Sequence, residues 1–312
     1  MNPSVAFFPV ELRPLSMLSG APGSANVVLD RHFAVVDVER TRPFAVVTDD
    51  YELITNEKAF DQAEAIMRRV FNTTSIRDFA CLNVTMPKTR SFCHIDLIHR
   101  SADFNPWEED SWTAFLRISN SYNRTRLLRF ELGFCRWICL NGFIFGKQSV
   151  EFSYAHTRRG KDRVDGFVEN IEQIRKLEAQ LTEKLHHLKR FYVPQSEMLA
   201  ILCRAFDITV GDDVKNKPRR VEDLLALRAQ VGTLTQMYFT EMGTHGYVAL
   251  NVLTDYATRP QGVMAPEAAM HGLQQKAGNW MDGFITAIKD PGFSFDAYLG
   301  GHRKTAELIE AL

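Results

Sequence analysis

Residues 112–142 decide the fold: WTAFLRISNSYNRTRLLRFELGFCRWICLNG. Two strand-like runs, 113–119 and 126–138, are joined by Asn120-Ser121-Tyr122-Asn123-Arg124-Thr125. Asn and Ser in such a join are turn formers, because their side chains bond nearby backbone groups. Strand, polar turn and strand make a hairpin, the unit of an antiparallel sheet. A second polar cluster, Arg136, Cys139 and Asn141, closes the segment.

The two-residue period continues upstream. Phe79, Cys81, Asn83 and Thr85 alternate with Ala80, Leu82, Val84 and Met86; Pro87-Lys88-Thr89 reads as a turn; residues 91–99 alternate again. An acidic loop containing Trp107 is expected over 105–110. Downstream, strands at 143–145 and 150–154 end the β-rich part. Nearer the N-terminus, strands are expected at 32–36 and 44–48, with Asp49-Asp50 as a turn before 51–55. Asn56 then reads as the N-cap of a helix whose apolar positions are Phe60, Ala63, Ile66, Met67, Val70 and Phe71.

After residue 164 the period becomes helical. Ile171, Ile174, Leu177, Leu181, Leu185 and Leu188 follow at steps of three and four, a narrow seam on a long amphipathic helix over about 165–191. Pro194 stops it, and a short helix from Ser196 to residue 206 follows. Further helices are expected at about 220–242, 247–258, 265–288 and 304–311, with Gly243 and Gly246 at a break. Strands first and helices afterwards argue an α+β fold: an antiparallel sheet with one crossing helix, then a long amphipathic helix and a helical C-terminal half. The expected division is an irregular arm (1–30), a β-rich domain (31–164) and a helical region packing on it (165–312).

The chain has 312 residues, 45% hydrophobic and 24% charged, so it has the length and apolar content for a full core. A formal charge of −1 removes any argument from overall charge for nucleic acid or a membrane, leaving only local patches. Five cysteines at irregular spacing, with no CxxC pair, read as reduced, buried thiols. No apolar run approaches the ~20 residues of a spanning helix, and no leader-like N-terminus stands out. The expectation is a cytoplasmic chain with no membrane partner and no cofactor.

Several of these segments resemble one family of phage- and plasmid-associated proteins, domain of unknown function 932 (DUF932). Its members have an Asn-Ser turn between strands, an Arg shortly before a Cys, then Asn with Gly or Thr; here these are Asn120-Ser121, Arg136, Cys139 and Asn141-Gly142. His156 also fits, the run FAVVTDDYELITNEKAF (44–60) is similar to the family's opening, and YVALNVLTDYA (247–257), with Asn251, resembles a late helix of the family. One place departs: where the family often has Gly after Asn-Ser, this chain has Arg124. The resemblance implies mobile-element ancestry and brings no activity with it. The order strand, helix, antiparallel meander, long helix is also similar to that of phage single-strand annealing proteins, an analogy of fold alone.

Phosphate binding needs cations gathered on one surface. Candidates are Arg124 and Arg126 beside the turn, Arg158, Arg159, Lys161 and Arg163 before the long helix, and Lys215, Lys217, Arg219 and Arg220 in a later loop. Tyr122, Phe130, Phe134 and Trp137 lie near the turn as residues that would stack on bases, or else belong to the core. A metal reading would rest on His94 and Asp96, which share a strand face; polar residues on an exposed sheet face, and no metal, is the preferred reading. Asn120, Ser121, Arg136, Asn141 and Asn251 read as structural, with Arg136 in a buried ion pair. No nucleophile motif is present, so the reading is of a binding protein: a homo-oligomeric mobile-element accessory protein acting on nucleic acid, single-stranded DNA in particular. The alternatives are an anti-defence or regulatory module binding a host protein without nucleic-acid affinity, and a metal-dependent nuclease.

Overall fold

A computed structural model of the chain describes residues 1–18, 27–71, 78–137, 140–144, 151–157 and 171–312. Strands precede helices in an α+β order. The strands are β1 (Val10–Met17), β2 (Val27–Asp37), β3 (Arg42–Thr48), β4 (Phe79–Thr85), β5 (Phe92–Trp107), β6 (Asp110–Ser121), β7 (Leu128–Arg136), β8 (Gly142–Ile144) and β9 (Glu151–Tyr154). The helices are α1 (Asn56–Val70), α2 (Ile171–Arg190), α3 (Met198–Phe206), α4 (Pro218–Met242), α5 (Gly246–Thr258), α6 (Pro266–Ile288), α7 (Phe295–Leu299) and α8 (Gly301–Glu310). The chain divides into two compact units: residues 1–102, 115–132 and 150–171, and residues 103–114, 133–149 and 172–312.

In the first unit β1, β2 and β3 form an antiparallel sheet in that order. Within the stretch expected to be an irregular arm, Val10–Met17 thus form an edge strand, pairing Val10 with Asp37 and Leu12 with Val35. Proline is tolerated on an edge because its missing N–H faces outward. Pro14 and Pro43 stand on the two edge strands, and the register shifts beside each of them. Phe8, Val10, Val35, Val47 and Tyr122 make the core of this sheet. Thr55, not Asn56, caps α1, its hydroxyl accepting from the Lys58 N–H. Ala59, Ala63, Ile66, Met67 and Val70 are the buried face of that helix.

The second sheet runs β4-β5-β6-β7-β8, and β9 pairs with β7. β7 holds β9 along Leu128–Glu131 and β8 along Gly133–Cys135. The loop expected over 105–110 is mostly strand: β5 continues to Trp107, a turn occupies Glu108-Glu109, and Asp110 opens β6. Consecutive residues of β5 and β6 are buried, among them His94, Ile95 and Asp96, so neither sheet face is solvated there. The expectation of an exposed polar face at His94 and Asp96 gives way to a strand buried on both sides, the pattern of a fully covered sheet. Tyr122, Phe130 and Phe134 are likewise fully buried, which leaves them no face for a base.

In the second unit Ile174, Leu181, Leu185 and Leu188 form the buried seam of α2. α3 and α5 are apolar nearly all round and lie inside this unit. Gly278 of α6 faces β8 closely; a Cβ there would stand 2.3 Å from the Ile144 carbonyl oxygen. Phe191, Phe284, Phe293, Phe295 and Tyr298 pack ring against ring, which brings the short α7 into the core. Among the described residues no helix is long and apolar enough to cross a membrane.

Candidate anion-binding site

The hairpin between β6 and β7 is fixed from both ends by the side chains that mark it in the sequence. Asn120 Nδ2 donates to the Ile54 carbonyl at 3.0 Å and to Asn56 Oδ1 at 2.9 Å. Asn56 in turn donates its own amide to the Ala6 carbonyl and its backbone N–H to the Tyr122 hydroxyl. Ser121 Oγ accepts from the Arg126 N–H at 3.0 Å and donates to the Arg126 carbonyl at 2.9 Å, a reciprocal clasp across five residues. Asn123 Oδ1 accepts from the Thr125 N–H and hydroxyl. Arg124, at the place where a glycine is frequent, has φ 62°, the left-handed conformation glycine adopts freely.

This construction puts two guanidinium groups on one concavity. A pocket of about 300 Å³ in the first unit is lined by Tyr51, Arg124, Arg126, His156 and Thr157, with Asp50 its single carboxylate. Arg124 is exposed and reaches the Val46 carbonyl only at 3.5 Å. Arg126 lies over the Phe92 ring, 4.4 Å from its centroid. Burial pulls its pKa below the ordinary guanidinium range and Arg129 adds to this, with Glu131 opposing; it stays charged at neutral pH.

Tyr51 and His156 form another wall. Their rings are parallel with centroids 5.4 Å apart, and the Tyr51 hydroxyl lies 3.4 Å from His156 Nδ1. Burial pushes the Tyr51 phenol up to about 12, while the nearby positive charge of Arg124 draws it down. Burial lowers His156 to about 4, partly offset by the Glu52 backbone, so the imidazole is neutral at pH 7. Backbone pairing closes this side: Tyr51 bridges Thr157, and the Glu52 N–H donates to the His156 carbonyl at 3.1 Å.

The other expected residues fall in different surroundings. Arg158, Arg159, Lys161, Arg163 and Cys139 lie outside the described residues. In the second unit Lys215, Lys217, Arg219 and Arg220 are all exposed, and Lys217 is paired with Asp213 at 2.7 Å. His94 Nδ1 is 2.7 Å from the Ser119 hydroxyl, and both Asp96 oxygens accept from Arg117. Among the described residues no group of three or more His, Cys, Asp or Glu side chains is placed to hold a metal ion.

Arg136, Asn141 and Asn251 belong to buried networks of the second unit. Arg136 Nε donates to Asp110 Oδ1 at 2.6 Å and its Nη1 to Asn251 Oδ1 at 3.4 Å, while the Tyr247 hydroxyl donates to Asp110 Oδ2. Asn141 Nδ2 donates to the Tyr238 hydroxyl, which donates to Asp255 at 2.8 Å. A buried charge with its partner and hydrogen bonds in place specifies packing; it has no free lone pair to offer a ligand. Asp110, Tyr51, Tyr238 and Asp255 are the participants that sequence reasoning missed. Asp255 of α5 and Arg259 just past its end, four apart and 3.4 Å from each other, gave the one local signal.

A search of curated proteins and of solved structures returns no match. The sequence profile of one family, described as "Domain of unknown function (DUF932)", matches residues 43–277. That span holds the clasped hairpin, the pocket beside it and both buried networks, and by it the chain belongs to the DUF932 family.

Proposed function

We propose that the chain binds nucleic acid through its phosphates, as an accessory protein of a phage- or plasmid-like element, with single-stranded DNA as its preferred form. The observation that carries the reading is the position of Arg124 and Arg126 on one pocket, two guanidinium groups against the single carboxylate of Asp50. Guanidinium groups match phosphate oxygens in pairs. Tyr122, Phe130 and Phe134 are buried and offer no face to a base, and only Trp137 of the aromatic candidates is partly exposed, so the site addresses phosphate groups rather than base edges. Exposed Lys215, Arg219 and Arg220 offer further phosphate contacts.

The test is a gel-shift panel of single- and double-stranded DNA and RNA across a range of salt. Affinity falls steeply with salt, and Arg124→Ala and Arg126→Ala each reduce the slope of log K against log salt by about 1. Affinity that is flat in salt, or indifferent to both substitutions, overturns the reading.

One observation favours a second reading, a module that docks on a host protein. Met17, Val27 and Val28, together at one end of β1 and β2, are each more than half exposed, and Met17 pairs across the hairpin with Val27. Exposed apolar residues gathered at one place mark protein contacts. Absence of affinity for every nucleic acid in the same panel selects this reading.

A further inference from the structure

We propose that the pocket between Tyr51, Arg124, Arg126 and His156 holds a phosphate monoester, the group carried by a strand terminus or a free nucleotide, and not a phosphodiester within a running strand. The inference rests on the nucleic-acid reading for its choice of ligand and adds which part of the ligand enters.

Three separate segments line the cavity: the end of β3 with Asp50 and Tyr51, the hairpin from Arg124 to Leu127, and residues 155–157 after β9. Two of them are joined by backbone contacts, through the Tyr51–Thr157 bridge and the Glu52–His156 hydrogen bond. A polymer passing through would have to separate that pairing, so the cavity is blind on this side. At about 300 Å³ it has the volume of a small-ligand pocket. A monoester brings close to two negative charges where a diester brings one. The two guanidiniums meet that charge, and the Tyr51 hydroxyl, 3.4 Å from His156 Nδ1, adds a neutral polar group to the same lining. His156, buried and stacked on Tyr51 with Nδ1 3.4 Å from its hydroxyl, positions that residue.

Fluorescence anisotropy on one oligonucleotide sequence with a 5′-phosphate, a 3′-phosphate or hydroxyls at both ends tests the proposal, with a nucleoside monophosphate and inorganic phosphate as competitors. One phosphorylated form binds about tenfold tighter than the hydroxyl form, and millimolar nucleoside monophosphate removes that advantage. Tyr51→Phe abolishes the preference, since one hydrogen bond to a charged group is worth about tenfold or more, while its melting curve reports that the fold is intact. Equal affinity for all three ends, still dependent on Arg124 and Arg126, overturns the monoester site and leaves the nucleic-acid reading standing. Capture of the nucleoside monophosphate with no affinity for any oligonucleotide keeps the site and removes that reading. No affinity for any of these ligands removes both.

Discussion

The Arg117 guanidinium lies flat against the Asp96 carboxylate, Nε to Oδ1 at 2.7 Å and Nη2 to Oδ2 at 2.6 Å, with both side chains almost wholly buried between β5 and β6. A paired charge in such a place is tolerated; an orphaned one is not. Asp96→Leu therefore destabilises the protein by about 3–5 kcal/mol, as does Arg117→Met. The double replacement Asp96→Leu with Arg117→Met recovers most of the loss. Urea unfolding of the three variants gives the comparison, and full additivity of the single losses would contradict the pairing.

Arg124 holds a conformation that costs a residue with a Cβ about 1–2 kcal/mol. Arg124→Gly should therefore raise stability by about 1 kcal/mol, less the added entropy of glycine in the unfolded chain. The same change removes a cation from the pocket and weakens polyanion binding roughly tenfold at low salt. Opposite movements of melting temperature and affinity are the expected signature. A parallel fall in both would place Arg124 among residues that merely hold the turn.

Ser121 makes both of its clasping hydrogen bonds to the Arg126 backbone. Ser121→Ala removes both bonds from the half-buried Arg126 backbone, at a cost of about 1 kcal/mol in thermal or chemical unfolding. Because the clasp also aims Arg126 at the pocket, anion affinity falls with it, and Ser121→Thr restores part of both. Unchanged affinity in Ser121→Ala would separate the clasp from the site.

His156 couples stability to pH. Its folded pKa is about 4, below the ordinary imidazole value of 6.5, because burial disfavours the charged ring. Between these values the unfolded chain binds the proton more readily than the folded one, so stability is lost as pH falls from 6.5 towards 4. The shift corresponds to roughly 3 kcal/mol by pH 4. Melting temperatures from pH 7.5 down to pH 4.5 decline in the wild type and decline less in His156→Gln. Identical slopes in the two proteins would acquit this residue.

Local signals carried most of the architecture. The three-four seam of α2, the apolar face of α1 and the breaks at Gly243 and Pro194 are properties of neighbours in sequence, and they lie where spacing puts them. The misses have distant partners. Val10–Met17 has no strong alternation and carries a proline; it becomes a strand because β2 pairs with it. α7 has five residues, too few for a period, and is held by rings from Phe191 and Phe284. The site divides in the same way. Arg124 and Arg126 were visible beside their turn, whereas the Tyr51–His156 wall joins residues 105 positions apart and has no spacing that would reveal it. Asp110 was read as part of an acidic loop, since only the fold brings it to Arg136 and Tyr247.

The prolines at the two borders of the small sheet have an effect on association. A further polypeptide seeking to add itself alongside β1 or β3 meets, at Pro14 or Pro43, a position with no amide hydrogen to give and a ladder already out of step. Such borders are poor templates for polymer growth. Copies of this protein that gather on a common ligand are thereby discouraged from fusing into fibrils through that sheet.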